Sequence, residues 1–191
     1  MKKDTILSKS LKSSFLSCEK DAETIIKKLF VTSKPYSDDL KRLLVINTKD
    51  CLDNSNENYR KIVENTSVKE LMEEKYLTLV PKVKMKEHEE VKNYIVLTFD
   101  DFAPTTNPEY RDCSIVFDIY CHRDYWDLGD YRTRPLKILG IIDGILNEAN
   151  LSGIGKLDFF DASRIDLNED YSGYSLTYRA THGNDDTVTG V

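Results

Sequence analysis

Residues 113–150 read CSIVFDIYCHRDYWDLGDYRTRPLKILGIIDGILNEAN, and this stretch decides the fold. Its first ten residues alternate. Cys113, Ile115, Phe117, Ile119 and Cys121 fall on one parity and Ser114, Val116, Asp118, Tyr120 and His122 on the other. Period-two patterning places one face of a strand in a core and leaves the other partly wet. An aromatic and charged turn follows, then an apolar helical pattern over Thr133–Asn150 with Leu136, Leu139, Ile142, Ile145, Leu146 and Ala149 as its stripe. Thr133 is placed to cap that helix, and Pro135 lies in its first turn, where a missing N–H does little harm. Gly140 and Gly144 each weaken a helix interior by roughly 1 kcal/mol relative to Ala. Close approach of the helix to the sheet, or to a neighbouring subunit, would offset that.

Further strands surround this unit. YLTLVPKVKM (76–85) alternates around Pro81, which suits an edge strand. YIVLTFDDF (94–102) puts Ile95, Leu97 and Phe99 on a core parity, and the two together predict a hairpin closed by the charged run 86–93. Ala103–Asp112 (APTTNPEYRD) reads as a ten-residue loop, longer than a hairpin needs, so either a surface excursion or an arm that touches a partner. Behind the helix, Leu151–Gly155 terminates it with two glycines. Lys156–Leu167 is a strand with an irregular, bulged middle, and Tyr174–His182 alternates strictly, with Tyr174, Leu176, Tyr178 and Ala180 facing one way. A polar tail ends the chain.

The N-terminal third is helical. Residues 1–17 form an arm or short amphipathic segment. Glu19–Ser33 carries Ala22, Ile25, Ile26, Leu29 and Phe30 at helical spacing after Ser17 as cap, and Ser37 caps a second helix bearing Leu40, Leu43 and Leu44. A third runs from about Glu57 to Glu64, and Ser67–Glu70 is a capping-box pattern opening a fourth. The fold class is α+β: a mostly antiparallel sheet packed with one long helix, preceded by an N-terminal helical segment (1–75) and forming with it a single compact unit whose core domain is 76–191.

Composition narrows function. Among 191 residues, 1–90 carry 18 Lys/Arg and 16 Asp/Glu, a net of +2, while 91–191 carry 9 and 17, a net of -8. An acidic second half argues against gripping nucleic acid through phosphate neutralisation. No apolar run is long enough for a membrane span, the start lacks the apolar segment of a signal peptide, and four cysteines without C-x-x-C spacing read as buried thiols in a reducing compartment. Synthesis in the cytoplasm, with no membrane, is expected.

Chemistry is weakly signalled. Asp118, His122, Asp124, Asp127 and Asp130, with Asp100 or Asp101, could converge on a hydrolytic metal, but the spacing is generic and a charged strand end in solvent is the preferred reading. No nucleophile elbow, zinc-protease motif or phosphate loop is present. No catalytic residue, metal or cofactor is therefore assigned, and no enzymatic activity is expected. Tyr120, Tyr125, Trp126 and Tyr131, flanked by Arg123, Arg132 and Arg134, suit a protein interface as well as core packing.

The order IVLTFDDF, long loop, CSIVFDIYCH, helix RPLKILGIIDGILNEA, GIGKLDFFDASRID and YSLTYRATH resembles the tail terminator, or tail-completion, proteins of long-tailed bacteriophages over about residues 76–182. The resemblance implies a virion protein of the neck, assembled in the host cytoplasm as a homo-oligomeric ring of six copies. Such a ring caps the head-proximal end of the tail tube, ends polymerisation of the tail tube protein and docks the neck or head-completion protein, while genomic DNA passes through its lumen. The alternatives are another neck component, a head–tail adaptor or head-closure protein, and more remotely a metal-dependent nuclease. The residues expected at protein interfaces on chemical grounds are Thr105, Asn107, Tyr110 and Arg111 in the loop, Arg123, Tyr125, Trp126 and Arg132 in the turn, and Gly140 and Gly144 on the helix.

Overall fold

The core strand of the central unit, β3 (Tyr110–His122), lies in the middle of a five-stranded sheet. In a computed structural model, which describes residues 18–79, 91–107 and 110–183, the sheet order is β1 (Leu77–Thr78), β2 (Tyr94–Pro104), β3, β7 (Tyr171–Gly183) and β6 (Asp158–Asp166). β2–β3, β3–β7 and β7–β6 are antiparallel. The fold is α+β, as the alternation and the helical stripe require.

One face of this sheet carries the predicted parity. Cys113, Ile115, Phe117, Ile119 and Cys121 of β3, Ile95 and Leu97 of β2, and Leu176, Tyr178 and Ala180 of β7 are all buried. Phe117 meets Tyr178 edge-on, centroids 6.2 Å apart, and burying a side chain of that size contributes about 1.5–3 kcal/mol. The helices cover this face: α1 (Cys18–Lys27), continued by a π-helical turn (Lys28–Thr32), α2 (Tyr36–Val45) and α5 (Arg134–Leu146). One apolar cluster joins Ile25, Leu29, Leu40 and Leu44 from the N-terminal helices to Phe117, Ile142 and Leu176. α3 (Glu57–Asn65) and α4 (Val68–Glu73) lie between α2 and the sheet in sequence; the Ser67 hydroxyl accepts from Glu70 N at 3.1 Å, as patterned, and Asn56, not foreseen as a cap, accepts from Asn58 N. On the opposite face Tyr94, Val96 and Tyr171 form a smaller cluster with Val91 and Tyr120.

Several expectations are corrected. β1 and β2 do not form a hairpin: they pair in parallel, Leu77 beside Ile95. Residues 79–93 are long enough for the crossover that a parallel pair needs; the strand expected over 80–85 and the charged turn at 86–90 lie outside the described residues, as do the arm 1–17 with its cap Ser17, and the tail from 184. α2 begins beyond the Lys34–Pro35 bond with Pro35 at the cap position, so Ser37 is inside the first turn. Half of the ten-residue loop, 103–104 and 110–112, is strand. β2 runs to Pro104 and β3 starts at Tyr110, with a register shift between Asp100 and Ala103 that lets the hairpin continue past the core.

The long helix is shorter than its pattern. After Leu146 the chain turns at Glu148, which is left-handed (φ 60), and Glu148 N donates to Leu157 O while Leu157 N donates to Ala149 O. This local pairing, followed by the short β4 (Asn150–Leu151) and β5 (Gly155–Lys156) hairpin, replaces the last helical turn. The helix is also rotated relative to the expected stripe. Pro135, Ile138, Ile141, Ile142 and Leu146 are buried, whereas Leu136 is 49% exposed. Apolar residues lie on nearly every side of α5, so periodicity alone does not choose its inner face. β6 carries the expected bulge, between Phe159 and Asp161.

Candidate functional site

The residues singled out in the sequence do not converge on one place. Thr105, Asn107, Tyr110 and Arg111 lie at the far end of the β2–β3 hairpin, and Arg123, Tyr125 and Trp126 just past the other end of β3. The twelve steps from Tyr110 to His122 span about 40 Å at ~3.3 Å per residue. Gly140 and Gly144 sit on a third surface, the outer side of α5.

The hairpin end is a projecting arm. Thr105 Oγ1 donates to Asn107 O at 2.7 Å and lies 3.2 Å from Tyr110 O, closing the turn. Ala103, Pro104, Asn107 and Asp112 are exposed, and Tyr110 is 44% exposed. β3 and β7 stay paired out to Tyr110 beside Gly183, so three strands stiffen this arm. On its β3 side β2 is paired out to Pro104 beside Arg111, whereas β1 flanks its other edge only at Ile95 and Val96.

The strand-to-helix turn is packed around its own chain. Trp126 donates its indole N–H to Cys121 O at 3.1 Å and packs on the main apolar cluster. Tyr125 is half-buried beside His122. Arg123 reaches Asp166 at 3.5 Å and Arg132 reaches Asp130 at 3.2 Å, both exposed pairs of small energetic weight. The functional surprise is Arg134, wholly buried. Its guanidinium donates to Tyr125 O (2.8 Å), Leu43 O (2.6 Å), Ile46 O (2.9 Å) and Thr48 O (2.8 Å). The last three of these carbonyls lie at and just past the C-terminal end of α2, where the helix dipole presents partial negative charge. One buried cation thus ties α2 to the start of α5. Nothing in its sequence neighbours, Thr133 and Pro135, distinguishes it from the exposed Arg132.

The turn also builds a rigid tip. Asp127 bridges to Thr133, Leu128 N donates to Arg132 O, and Arg132 N to Gly129 O at 2.9 Å. Asp130 (φ 50) and Tyr131 (φ 61) are both left-handed, the mirror-image turn that suits tight hairpins. Tyr131, at the summit, is fully exposed.

The carboxylates proposed as a metal cluster disperse instead. Asp118 accepts from Ser175 at 2.7 Å, Asp101 faces Ser114, His122 Nδ1 accepts from Asp124 N, Asp127 pairs with Lys49 and Asp130 with Arg132. Among the described residues no three His, Cys, Asp or Glu side chains are grouped to hold a metal ion. Cys51, Cys113 and Cys121 are buried. Burial pushes the thiols of Cys113 and Cys121 up to about 12, which suppresses the nucleophilic thiolate.

On the outer side of α5, Gly140 and Gly144 form the floor of a groove of about 410 Å³ with Leu136, Ile145 and Tyr36 along it. A Cβ at either glycine would meet nothing within 4 Å. Close approach of the helix to the sheet is therefore not what these glycines serve. No helix among the described residues is long and apolar enough to cross a membrane.

The α+β domain thus presents three separate surfaces, the β arm, the exposed Tyr131 tip and the open groove on α5. The chain belongs to the phage-associated YomW family, whose model matches residues 37–180, from the first turn of α2 to the outer part of β7. Among solved structures, a chain described as "Virion of native gene transfer agent (GTA) particle" is similar with a TM-score of 0.42 and 15% identity, over 63% of this chain and 87% of that one. No curated protein matches the sequence.

Proposed function

We propose that the protein is a structural component of a phage-type virion and, more narrowly, a tail terminator. Six copies form a ring on the head-proximal end of the tail tube, end its polymerisation and present a docking surface to the neck or head-completion protein. The observation that carries the reading is membership of a phage-associated family across nearly the whole described domain. Three features of the geometry support it. The contact surfaces lie at opposite ends of β3 and on α5, as a subunit with several neighbours requires. The arm at Thr105–Tyr110 suits contact with the tube, its sequence-distant residues held in register by β7. The acidic second half, with Asp158, Asp161 and Asp166 exposed along β6, suits a lumen through which DNA passes without sticking.

Two measurements test this. Light scattering and electron microscopy of the purified protein are expected to show a ring of about six copies; a stable monomer at all concentrations refutes the terminator role. Antibody labelling of purified particles is expected at the head-proximal end of the tail. Label at the head vertex would replace the terminator with a head-closure role, and absence from particles would refute the virion reading itself.

A further inference from the structure

We infer that the Leu128–Arg132 tip of one copy docks in the α5 groove of a second copy, with Tyr131 entering the space left by Gly140 and Gly144. The inference rests on the ring reading and assigns its subunit contact.

The tip is an aromatic anchor without a pocket. Tyr131 shows 109% relative exposure, while the turn beneath it is closed by Asp127–Thr133 and Gly129–Arg132 hydrogen bonding and by Leu128, which is buried. Placing a bulky side chain at φ 61 costs about 1–2 kcal/mol. Aromatic side chains held rigidly lose little entropy on docking and dominate interface energetics when they fill a pocket.

The groove is a pocket without an anchor. Its floor lacks side chains at Gly140 and Gly144, and its walls expose Leu136 (49%) and Tyr36 (57%) to water. Lys137 stands on its rim. Asp130, next to Tyr131 on the tip, has a side chain 89% exposed, so its pair with Arg132 holds it weakly and it is placed to meet Lys137 as Tyr131 enters. The tip does not fill its own groove, since Tyr131 is fully exposed. Gly140 and Gly144 lie six and ten residues along α5 from Arg134, about 9 and 15 Å at 1.5 Å per residue, and the tip is fixed at the start of that helix. Tip and groove are different surfaces, so copies can join head to tail, each giving a tip to one neighbour and receiving one from another. Such head-to-tail contacts close into a ring when the rotation between copies permits.

The test is complementation. Tyr131→Ala removes the anchor at an exposed position, and Gly144→Trp fills the groove where a side chain meets nothing of its own chain. Each variant alone, with native circular dichroism, is expected to lose ring assembly, the Tyr131→Ala contact weakening on the order of 30-fold. Their equimolar mixture is expected to give a one-to-one heterodimer and no larger species, because one intact tip and one intact groove remain. Lys137→Glu is expected to weaken assembly, and adding Asp130→Lys to restore it. Gly140→Leu serves as the groove block if Gly144→Trp fails to fold. Rings formed by Tyr131→Ala or by the groove-blocked variant as readily as by the wild type overturn this contact and leave the ring reading standing. Loss of rings in both without a heterodimer in the mixture also overturns it. A wild type that never assembles refutes both readings together.

Discussion

Arg134→Met is expected to destabilise the fold by about 2–4 kcal/mol, because it takes the donor from carbonyls that the buried guanidinium holds. The magnitude comes from what the guanidinium leaves behind. Methionine fills much of the volume and removes a buried charge, a gain. Of the four carbonyls, Leu43 O keeps a second donor, the Asn93 amide at 3.4 Å. Those of Tyr125, Ile46 and Thr48 lose the guanidinium that holds them. Each buried acceptor left unsatisfied costs about 1–3 kcal/mol; Ile46 is buried and bears this in full, while Tyr125 is half-buried and Thr48 exposed, so water replaces part of their loss, and the sum outweighs the relief of removing the charge. Arg134→Lys keeps the charge but offers a single ammonium in place of a planar fork. It is expected to cost about 2 kcal/mol. Urea denaturation followed by circular dichroism measures both, with the midpoint falling at unchanged slope. A methionine variant within about 1 kcal/mol of wild type would show that water or backbone rearrangement satisfies the carbonyls, and the claim that Arg134 ties α2 to α5 would fail.

Other outcomes follow from particular contacts. A Cβ at Gly173 would lie 1.7 Å from Ile119 O, a backbone atom that cannot swing away; Gly173→Ala is expected to cost about 3 kcal/mol or more, and an unchanged denaturation midpoint would contradict the β3–β7 geometry. Burial holds the Cys113 and Cys121 thiols protonated up to about 12, against an ordinary value of 9.0. Between those values the unfolded chain releases protons that the folded chain retains, so stability is full below pH 9 and falls as pH rises towards 12. The two thiols together contribute at most about 2.7 kcal/mol per pH unit. Buried Tyr94 and Tyr178, also raised, add to the decline above pH 10. Comparing urea midpoints from pH 8 to 10.5 in wild type and in Cys113→Ala/Cys121→Ala isolates the thiol share, and equal slopes in the two proteins would refute it.

The strands were legible because their signal is local. Alternation over Cys113–Cys121 and Leu176–Ala180 names the buried face of β3 and β7 residue by residue, and the Ser67 cap can be read from a few neighbours. What was not legible depends on the whole chain. The parallel pairing of β1 with β2 is a matter of where the chain returns, which alternation does not encode. The inner face of α5 is chosen by Arg134 and Pro135 entering the core, because Leu136, Leu139 and Ile145 are as apolar as Ile138 and Ile142. The extension of β2 and β3 into APTTNPEYRD overrides turn-forming residues through pairing with β7. Of the candidate surfaces, the hairpin residues lie together and apart from the turn, while Trp126 packs on the main apolar cluster. Tyr131 drew notice only as one aromatic among four. Gly129-Asp130 before it was the available hint of a tight turn that lifts it into solvent.

The glycines of α5 give the sharpest separation between folding and assembly. In an exposed helix interior each Gly lowers stability by about 0.8–1 kcal/mol relative to Ala. Within the folded chain nothing offsets this, since a Cβ at 140 or 144 meets no atom within 4 Å. Gly140→Ala/Gly144→Ala is therefore expected to raise the unfolding free energy of the isolated chain by about 2 kcal/mol, read from the urea midpoint. The same methyl groups narrow the floor on which Tyr131 of a neighbour would rest, so ring assembly, read by light scattering, is expected to weaken. Opposite signs in the two measurements place the benefit of the glycines between copies. A loss of stability in the isolated chain would place it within the fold, and would mean that α5 is more closely packed on its outer side than its open groove allows.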